Sequence, residues 1–300
     1  MSFDIKGRDT CSRREFFGKS ALVLAAAGGI RLGYGFDKNA AQRLTFIAYN
    51  VYKCNGWPRE GKRATKAREQ NQIVGRLAQE LALYDPDVIN FSESPDEGQV
   101  KEIATRLNMK YVFFESGGNW PGTLLTRLAI EKSENVPMQG ERPSDLFTRH
   151  WGRAMLKLSN GRRVSVHSAH LFPHDTPEAG AIRKREIAEI LRAAQSDLAN
   201  VDSVVVMGDL NHTPAMPEYK QWMDAGYTDT FAKAGKGTGA TIKADHPGQR
   251  IDYILVRGSL SNAIAESRPL FEGEFRTNPA DPESFALSDH LPQLTAFNIS

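Results

Sequence analysis

Apolar positions fall into two rhythms along this chain. Short apolar runs bounded by turn chemistry predict strands at 44–48 (LTFIA), 88–91, 111–114, 123–128, 154–158, 163–171, 204–207, 251–256 and 294–298. Between 66 and 84 the rhythm is helical, with Ile73, Leu77, Leu81 and Tyr84 on one stripe. Asp85-Pro86 ends that helix, because a residue before proline is pushed out of the α region. Further helices are predicted at 98–107 and 178–194. The run Val204-Val205-Val206-Met207 needs cover on both faces of its strand. A glycine-rich loop (GGNWPG) occupies 117–122, and 272–287, with Pro279 and Pro282, reads as a mobile loop. No tandem repeat or long linker divides the chain, so 37–300 reads as one domain. Many strands, with helices among hairpin-like connections, predict a layered α/β sandwich rather than a strictly alternating parallel sheet.

Composition narrows the function classes. The 300 residues are 40% hydrophobic and 25% charged, ample for a sizeable core. Two cysteines, Cys11 and Cys54, exclude a disulfide framework and a cysteine-rich zinc site. The net charge is +2, but residues 1–36 alone carry +3 (Lys6, Arg8, Arg13, Arg14, Lys19 and Arg31 against Asp4, Asp9 and Glu15), leaving −1 for the rest. The body is therefore not basic overall. A local basic patch remains open, and Lys62, Arg63, Lys66 and Arg68 cluster after the first strand, where a solvated helix start is the plainer reading. The GKGTG run at 235–239 lacks the strand–helix context of a phosphate loop and reads as a surface loop.

The chemistry gathers where strands stop. Asn50 follows the first strand and Glu93 the second; His170 sits near the end of RVSVHSAHL; Asp209 and Asn211 follow the valine run; Asp252 lies inside IDYIL; Asp289 and His290 precede the last strand. Singly, Asn after a strand is ordinary turn chemistry, a lone Glu there is ordinarily solvated, and His170 could be a satisfied core histidine. Asp209 and Asn211, two apart, would point the same way on an extended chain. Asp252 is harder to dismiss, because an acid inside an apolar strand needs a partner, and His290 is available. A histidine oriented by a buried carboxylate is a general-base arrangement. His167 competes with His170 but lies on the opposite strand face. Trp57, Trp120 and Trp151 fall near predicted loops, where they could stack on a substrate or simply pack.

AYN, DPDVINFSE, SAHL, GDLN, RIDYIL and SDHLP, in that order over most of the chain, resemble the endonuclease/exonuclease/phosphatase superfamily, which includes deoxyribonuclease-I-like nucleases. Ser92 stands where members more often carry glutamine before the glutamate, and Ser168-Ala169 replaces an asparagine-threonine pair. The resemblance implies a four-layer α/β sandwich of two mixed sheets packed face to face and flanked by helices. It implies that Asn50 and Glu93 hold Mg²⁺ or Mn²⁺, with Asp209 and Asp289 completing that site. Asp209 and Asn211 would position the attacking water and the scissile phosphate, and His290, paired with Asp252, would act as base or stabilise charge. Whether Asp209 or His290 takes the water's proton stays open. His170 would donate to a phosphate oxygen or the leaving group, and Arg153, in WGRAML, would contact the phosphate.

At the N-terminus, Ser12-Arg13-Arg14-Glu15-Phe16-Phe17-Gly18-Lys19 before a short Ala/Gly-rich apolar run resembles a twin-arginine export signal over 1–36. It implies engagement of the twin-arginine translocation machinery and a periplasmic or secreted protein. The expected function is metal-dependent hydrolysis of a phosphodiester: nucleic acid, phospholipid headgroup or small phosphodiester. The alternatives are a phosphomonoesterase on the same site and a non-catalytic phosphate-ligand binding module. A binding module would be marked by decay of the ligand set.

Overall fold

The computed structural model of the chain describes residues 42–136 and 145–299; the export-signal segment lies outside the described residues. The strands are β1 (Gln42–Asn50), β2 (Val88–Ser92), β3 (Lys110–Phe114), β4 (Gly122–Thr126), β5 (Ala129–Glu134), β6 (Trp151–Lys157), β7 (Arg163–Ala169), β8 (Ser203–Asp209), β9 (Thr228–Asp229), β10 (Asp252–Gly258), β11 (Ile264–Pro269) and β12 (Gln293–Ile299). The helices are α1 (Lys62–Glu69), α2 (Ile73–Ala82), α3 (Glu97–Leu107), α4 (Pro177–Asp197), α5 (Pro217–Asp224) and α6 (Thr230–Ala234). None of the described helices is long and apolar enough to cross a membrane.

Two six-stranded sheets result, ordered β11-β12-β1-β2-β4-β3 and β5-β6-β7-β8-β10-β9. Each is mixed: β1–β2 and β7–β8 are parallel, and the other pairs are antiparallel. Strand alternation builds three apolar layers. Leu44, Phe46 and Ala48 of β1 meet Val164, Val166, Val205 and Met207 between the sheets. Ile47 and Tyr49 face the other way, onto Ile73, Leu77 and Leu81 of α2 and Ile103 and Leu107 of α3. Val204 and Val206 face Ile187 and Ile190 of α4 and Trp222 of α5. The valine run is thus covered on both sides, and helices flank both outer faces.

The sheets interlock through two glycines. A Cβ on Gly122 of β4 would come within 2.1 Å of the His150 ring, and one on Gly152 of β6 within 2.1 Å of Phe114. The Phe114 and His150 rings, one from each side, lie parallel with centroids 6.4 Å apart.

The helix predicted over 66–84 is two helices. Asn71, at φ +52°, breaks it, and Tyr84 falls beyond the second. The strands β5 and β11, at sheet edges, and α5 and α6 were not anticipated. The segment 272–287 is anchored rather than loose: Phe275 and Ala286 are fully buried in the α2-side layer. Trp151 is no loop residue but opens β6, buried, its indole N–H donating to His167.

Candidate active site

The topology brings the strand ends together. The parallel strands β1, β2, β7 and β8 finish at one edge of the sandwich, and the antiparallel partners β10 and β12 begin there: Asp252 lies opposite Asp209, and Gln293 opposite Ala48. The residues at these ends are Asn50, Glu93, His170, Asp209, Asp252, Asp289 and His290. The first sheet supplies Asn50, Glu93 and the Asp289–His290 pair; the second supplies His170, Asp209 and Asp252.

Asp209 is the hub. Its Oδ2 accepts from Asn50 Nδ2 at 3.0 Å and lies 3.6 Å from His170 Nε2 and 3.8 Å from His290 Nε2. Asn50 Nδ2 also donates to Glu93 Oε1 at 3.2 Å, and Asn50 Oδ1 accepts the Tyr52 N–H. Asn50 therefore bridges two carboxylates. His290 Nδ1 lies 2.8 Å from Asp252 Oδ2, which leaves Nε2 facing Asp209. At these strand ends, Glu93 Oε2, Asp252 Oδ1 and His170 Nδ1 are buried with no hydrogen-bond partner.

Asn211 does not share an extended strand with Asp209. The strand ends at Asp209, and Asn211 turns at φ +50°. Its N–H donates to Asp209 Oδ1 and its Nδ2 to the Leu171 carbonyl. Asn211 thus joins the site through a side-chain-closed turn. Glu93 is also left-handed (φ +49°), as are Tyr52, Lys53 and Cys54 in succession. Such conformations cost non-glycine residues about 1–3 kcal/mol each and persist where surrounding structure imposes them. Here the Lys53 N–H donates to the Glu93 carbonyl, tying the two turns together.

Burial sets the charges. Burial, reinforced by Asp252, pushes Asp209 up to about 7, against the pull of His290 and Asn50. Burial opposes charge on the His290 ring, but Asp252, Asp209 and Asp289 outweigh it and raise the ring to about 10. Burial, with repulsion from His150, Arg149 and His290, holds His170 neutral, well below the usual range. Burial raises Glu93, with nearby Asp289 adding to the effect.

Arg153 is not part of this cluster. It points to the outer face of the second sheet, where it pairs with Glu134 at 2.6 Å and Asp197 at 2.7 Å. His167, on that same face, lies 3.0 Å from Asp197. The arginine that faces the site is Arg149, four residues earlier, before β6 begins. Its charge interacts with Glu93, Glu186 and Asp209, its Nε is buried without a partner, and its guanidinium lies 5.3 Å from the Trp120 ring centre. Lys53 Nζ lies 4.2 Å from the same ring. The Trp120 loop is held by the Ser94 N–H donating to the Pro121 carbonyl, one residue past Glu93. Behind Arg149, the Glu186 carboxylate accepts the Phe147 and Phe172 N–H groups, clamping the chain on either side of the β6–β7 hairpin.

The donor set suits a hard divalent cation. Carboxylate oxygens dominate, and Glu93 carries a buried oxygen with no partner; Asp209, Asp252 and His290 also present donor atoms within 4.8 Å of one another, but there Asp252 is already engaged by His290.

Comparison with known proteins agrees with this arrangement. The family model for the Endonuclease/Exonuclease/phosphatase family matches residues 47–290. No curated protein matches the sequence. Among solved structures, the endonuclease/exonuclease/phosphatase from Bacteroides vulgatus is 17% identical with TM-score 0.65, over 86% of this chain and 100% of that one. A conserved protein of unknown function from Enterococcus faecalis is 15% identical with TM-score 0.66, over 85% and 100%. Truncated TDP2 from Caenorhabditis elegans is 15% identical with TM-score 0.61, over 85% and 98%. At these identities the likeness speaks for the fold.

Proposed function

This chain belongs to the endonuclease/exonuclease/phosphatase family, and we propose that it is a divalent-metal-dependent phosphodiesterase acting at the Asp209 cluster. The observation that carries the reading is the buried convergence on Asp209 Oδ2 of Asn50 Nδ2 at 3.0 Å, His170 Nε2 at 3.6 Å and His290 Nε2 at 3.8 Å, with His290 backed by Asp252 at 2.8 Å. The acids around His290 outweigh burial and favour its charged ring, which can bind and stabilise a phosphate oxygen. Asp209, raised to about 7, can accept a proton.

Water attacks phosphorus from the Asp209 side. A new P–O bond forms, the water's proton passes to Asp209, and the bond to the leaving oxygen breaks. His290, held by Asp252, stays charged against the equatorial oxygens. His170, neutral and 3.6 Å from Asp209, is placed to donate a hydrogen bond to the phosphate or to the departing oxygen, which takes its proton from solvent while Asp209 later releases its own. Arg149 adds a second fixed cation at the rim. Mg²⁺ or Mn²⁺, held by Glu93 with Asp289, would neutralise phosphate charge and lower the pKa of the water, leaving Asp209 free to take its proton. Asn50, donating to both Glu93 and Asp209, keeps these carboxylates in register. The twin-arginine pattern at 12–19 adds export of the folded enzyme, read by whether Arg13→Lys/Arg14→Lys keeps the protein in the cytoplasm.

The test is hydrolysis of bis(p-nitrophenyl) phosphate and of oligonucleotides with Mg²⁺, Mn²⁺ or chelator. Chelator should abolish turnover, and Asp209→Ala should lower kcat by about 10²–10⁴-fold with its folding intact. Full metal-dependent activity in Asp209→Ala would overturn the assignment.

A further inference from the structure

A cleft of about 610 Å³ lies between α1, the start of α2 and the segment 273–285, outside the Asp209 cluster. Its walls carry Arg63, Lys66, Arg76 and Arg276, with Glu274 among the lining residues and Asp281 and Glu283 in ion-pair reach of Arg63. Two of the cations are committed. Arg76 pairs with Glu274 at 2.5 Å and packs on the Phe285 ring at 5.6 Å, and Arg63 pairs with Asp281 at 2.5 Å. The other two are not: Lys66 and Arg276 have no ion-pair partner among the described residues, and Arg276 Nε is buried without any hydrogen-bond partner. A buried guanidinium N–H left unpaired is costly, and an anion in the cleft relieves that cost.

The cleft is also coupled to the reacting end by the chain itself. Phe285 on its wall precedes Asp289 by four residues, a reach of at most about 14 Å. The intervening Ala286 is fixed by paired backbone hydrogen bonds to Trp57. A strand that places one phosphodiester at Asp209 carries further phosphates along its backbone, and a cleft whose wall is this short a chain reach from Asp289 is within their range. Acids interleave with the bases here and fix Arg63 and Arg76 in place. A lipid surface is instead met by uncompensated basic clusters, so the arrangement favours a discrete phosphate.

We propose that this cleft is a second phosphate-binding site, holding a backbone phosphate of a single nucleic-acid strand through Lys66 and Arg276. The inference rests on the phosphodiesterase reading and names its substrate class. It also locates the basic patch that a near-neutral body left open.

The experiment measures binding of a fluorescein-labelled thymidylate 12-mer to the full chain by anisotropy, in chelator to prevent turnover, across a salt series. In Lys66→Ala/Arg276→Ala the Kd should rise about 10-fold and the slope of log Kd against log salt should fall by about 1.4, the value for two single-strand phosphate contacts. The kcat for bis(p-nitrophenyl) phosphate, too small to reach the cleft, should not change. If Arg276→Ala fails to fold, Lys66→Glu, on an exposed position, carries the same test alone. Unchanged Kd and slope would overturn the proposal. So would loss of binding to phosphatidylglycerol vesicles with oligonucleotide affinity intact, which would assign the cleft to a membrane. Absence of bis(p-nitrophenyl) phosphate turnover in the wild type, with the oligonucleotide result as expected, would overturn the catalytic reading and leave the cleft standing.

Discussion

Two buried histidines in this molecule each rest on a carboxylate, and only one sits where chemistry can happen. His290 lies 2.8 Å from Asp252, and His167 lies 3.0 Å from Asp197. Both rings are almost completely buried. Yet His290 is raised to about 10, while His167 is lowered. Burial lowers both. The difference lies in the next neighbours. His290 faces Asp209 and Asp289 as well as Asp252, whereas Asp197 is shared with Arg153 and the Ser165 hydroxyl, and the Arg153 cation opposes charge on His167. A carboxylate–histidine pair is therefore not a signature in itself. The charge balance of the surrounding few residues decides whether the ring is a cation at the edge of the sheets or a neutral strut beneath a helix.

The sharpest break of this comparison is to neutralise each aspartate in turn. Asp252→Asn should cost about 10²–10⁴-fold in kcat, since the histidine loses the anion that keeps it charged and oriented. Asp197→Asn should leave kcat nearly unchanged and cost about 1–3 kcal/mol of stability, because it weakens the hydrogen bonds to His167 and Ser165 and removes one of the two acids that hold Arg153. Urea denaturation beside initial-rate kinetics separates the two, and the same ranking in both variants would erase the distinction.

A smaller effect tests burial as the cause of these shifts. Glu186, buried behind Arg149, is raised to about 7 from an ordinary 4.5. Its folded form holds the proton more tightly than the unfolded form, so its contribution to stability is full below about pH 4.5 and lost as pH rises through about 7. Glu186→Gln should therefore flatten the fall in stability between pH 5 and pH 8, by about 1–3 kcal/mol. Parallel pH profiles of melting temperature for the two proteins would show burial is not the cause.

Much of the sandwich was legible because buried strands advertise themselves. The valine run of β8, covered by both layers, could hardly be anything else. Edge strands do not advertise. β5 (AIEKSE) is mostly solvated along its length, and in β11 (IAESRP) the buried positions are Ser267 and Pro269, so neither shows the apolar alternation a half-buried strand advertises. The long helix misread across Asn71 had periodicity on both sides of the break, and only a left-handed residue interrupts it. In the site, the residues at strand ends were visible because a polar group closing an apolar run needs a reason. Arg149 was not, since it precedes its strand, where sequence gives no face. Arg153 was misassigned for the same reason in reverse: it lies inside the strand, and strand parity sends it to the helix-covered side with His167. Asn211 was placed correctly at the strand end but in the wrong conformation, because its turn is closed by the Asp209 side chain that the extended reading left free.

The paired glycines between the sheets carry a consequence for the reaction. Four of the seven groups at the strand ends hang from one sheet and three from the other, so what fills the gap between the sheets bears on how those groups face one another. A side chain at Gly122 or Gly152 would collide with the His150 or Phe114 ring and press the sheets apart, so a change in the filling should be felt in the rate as well as in the stability.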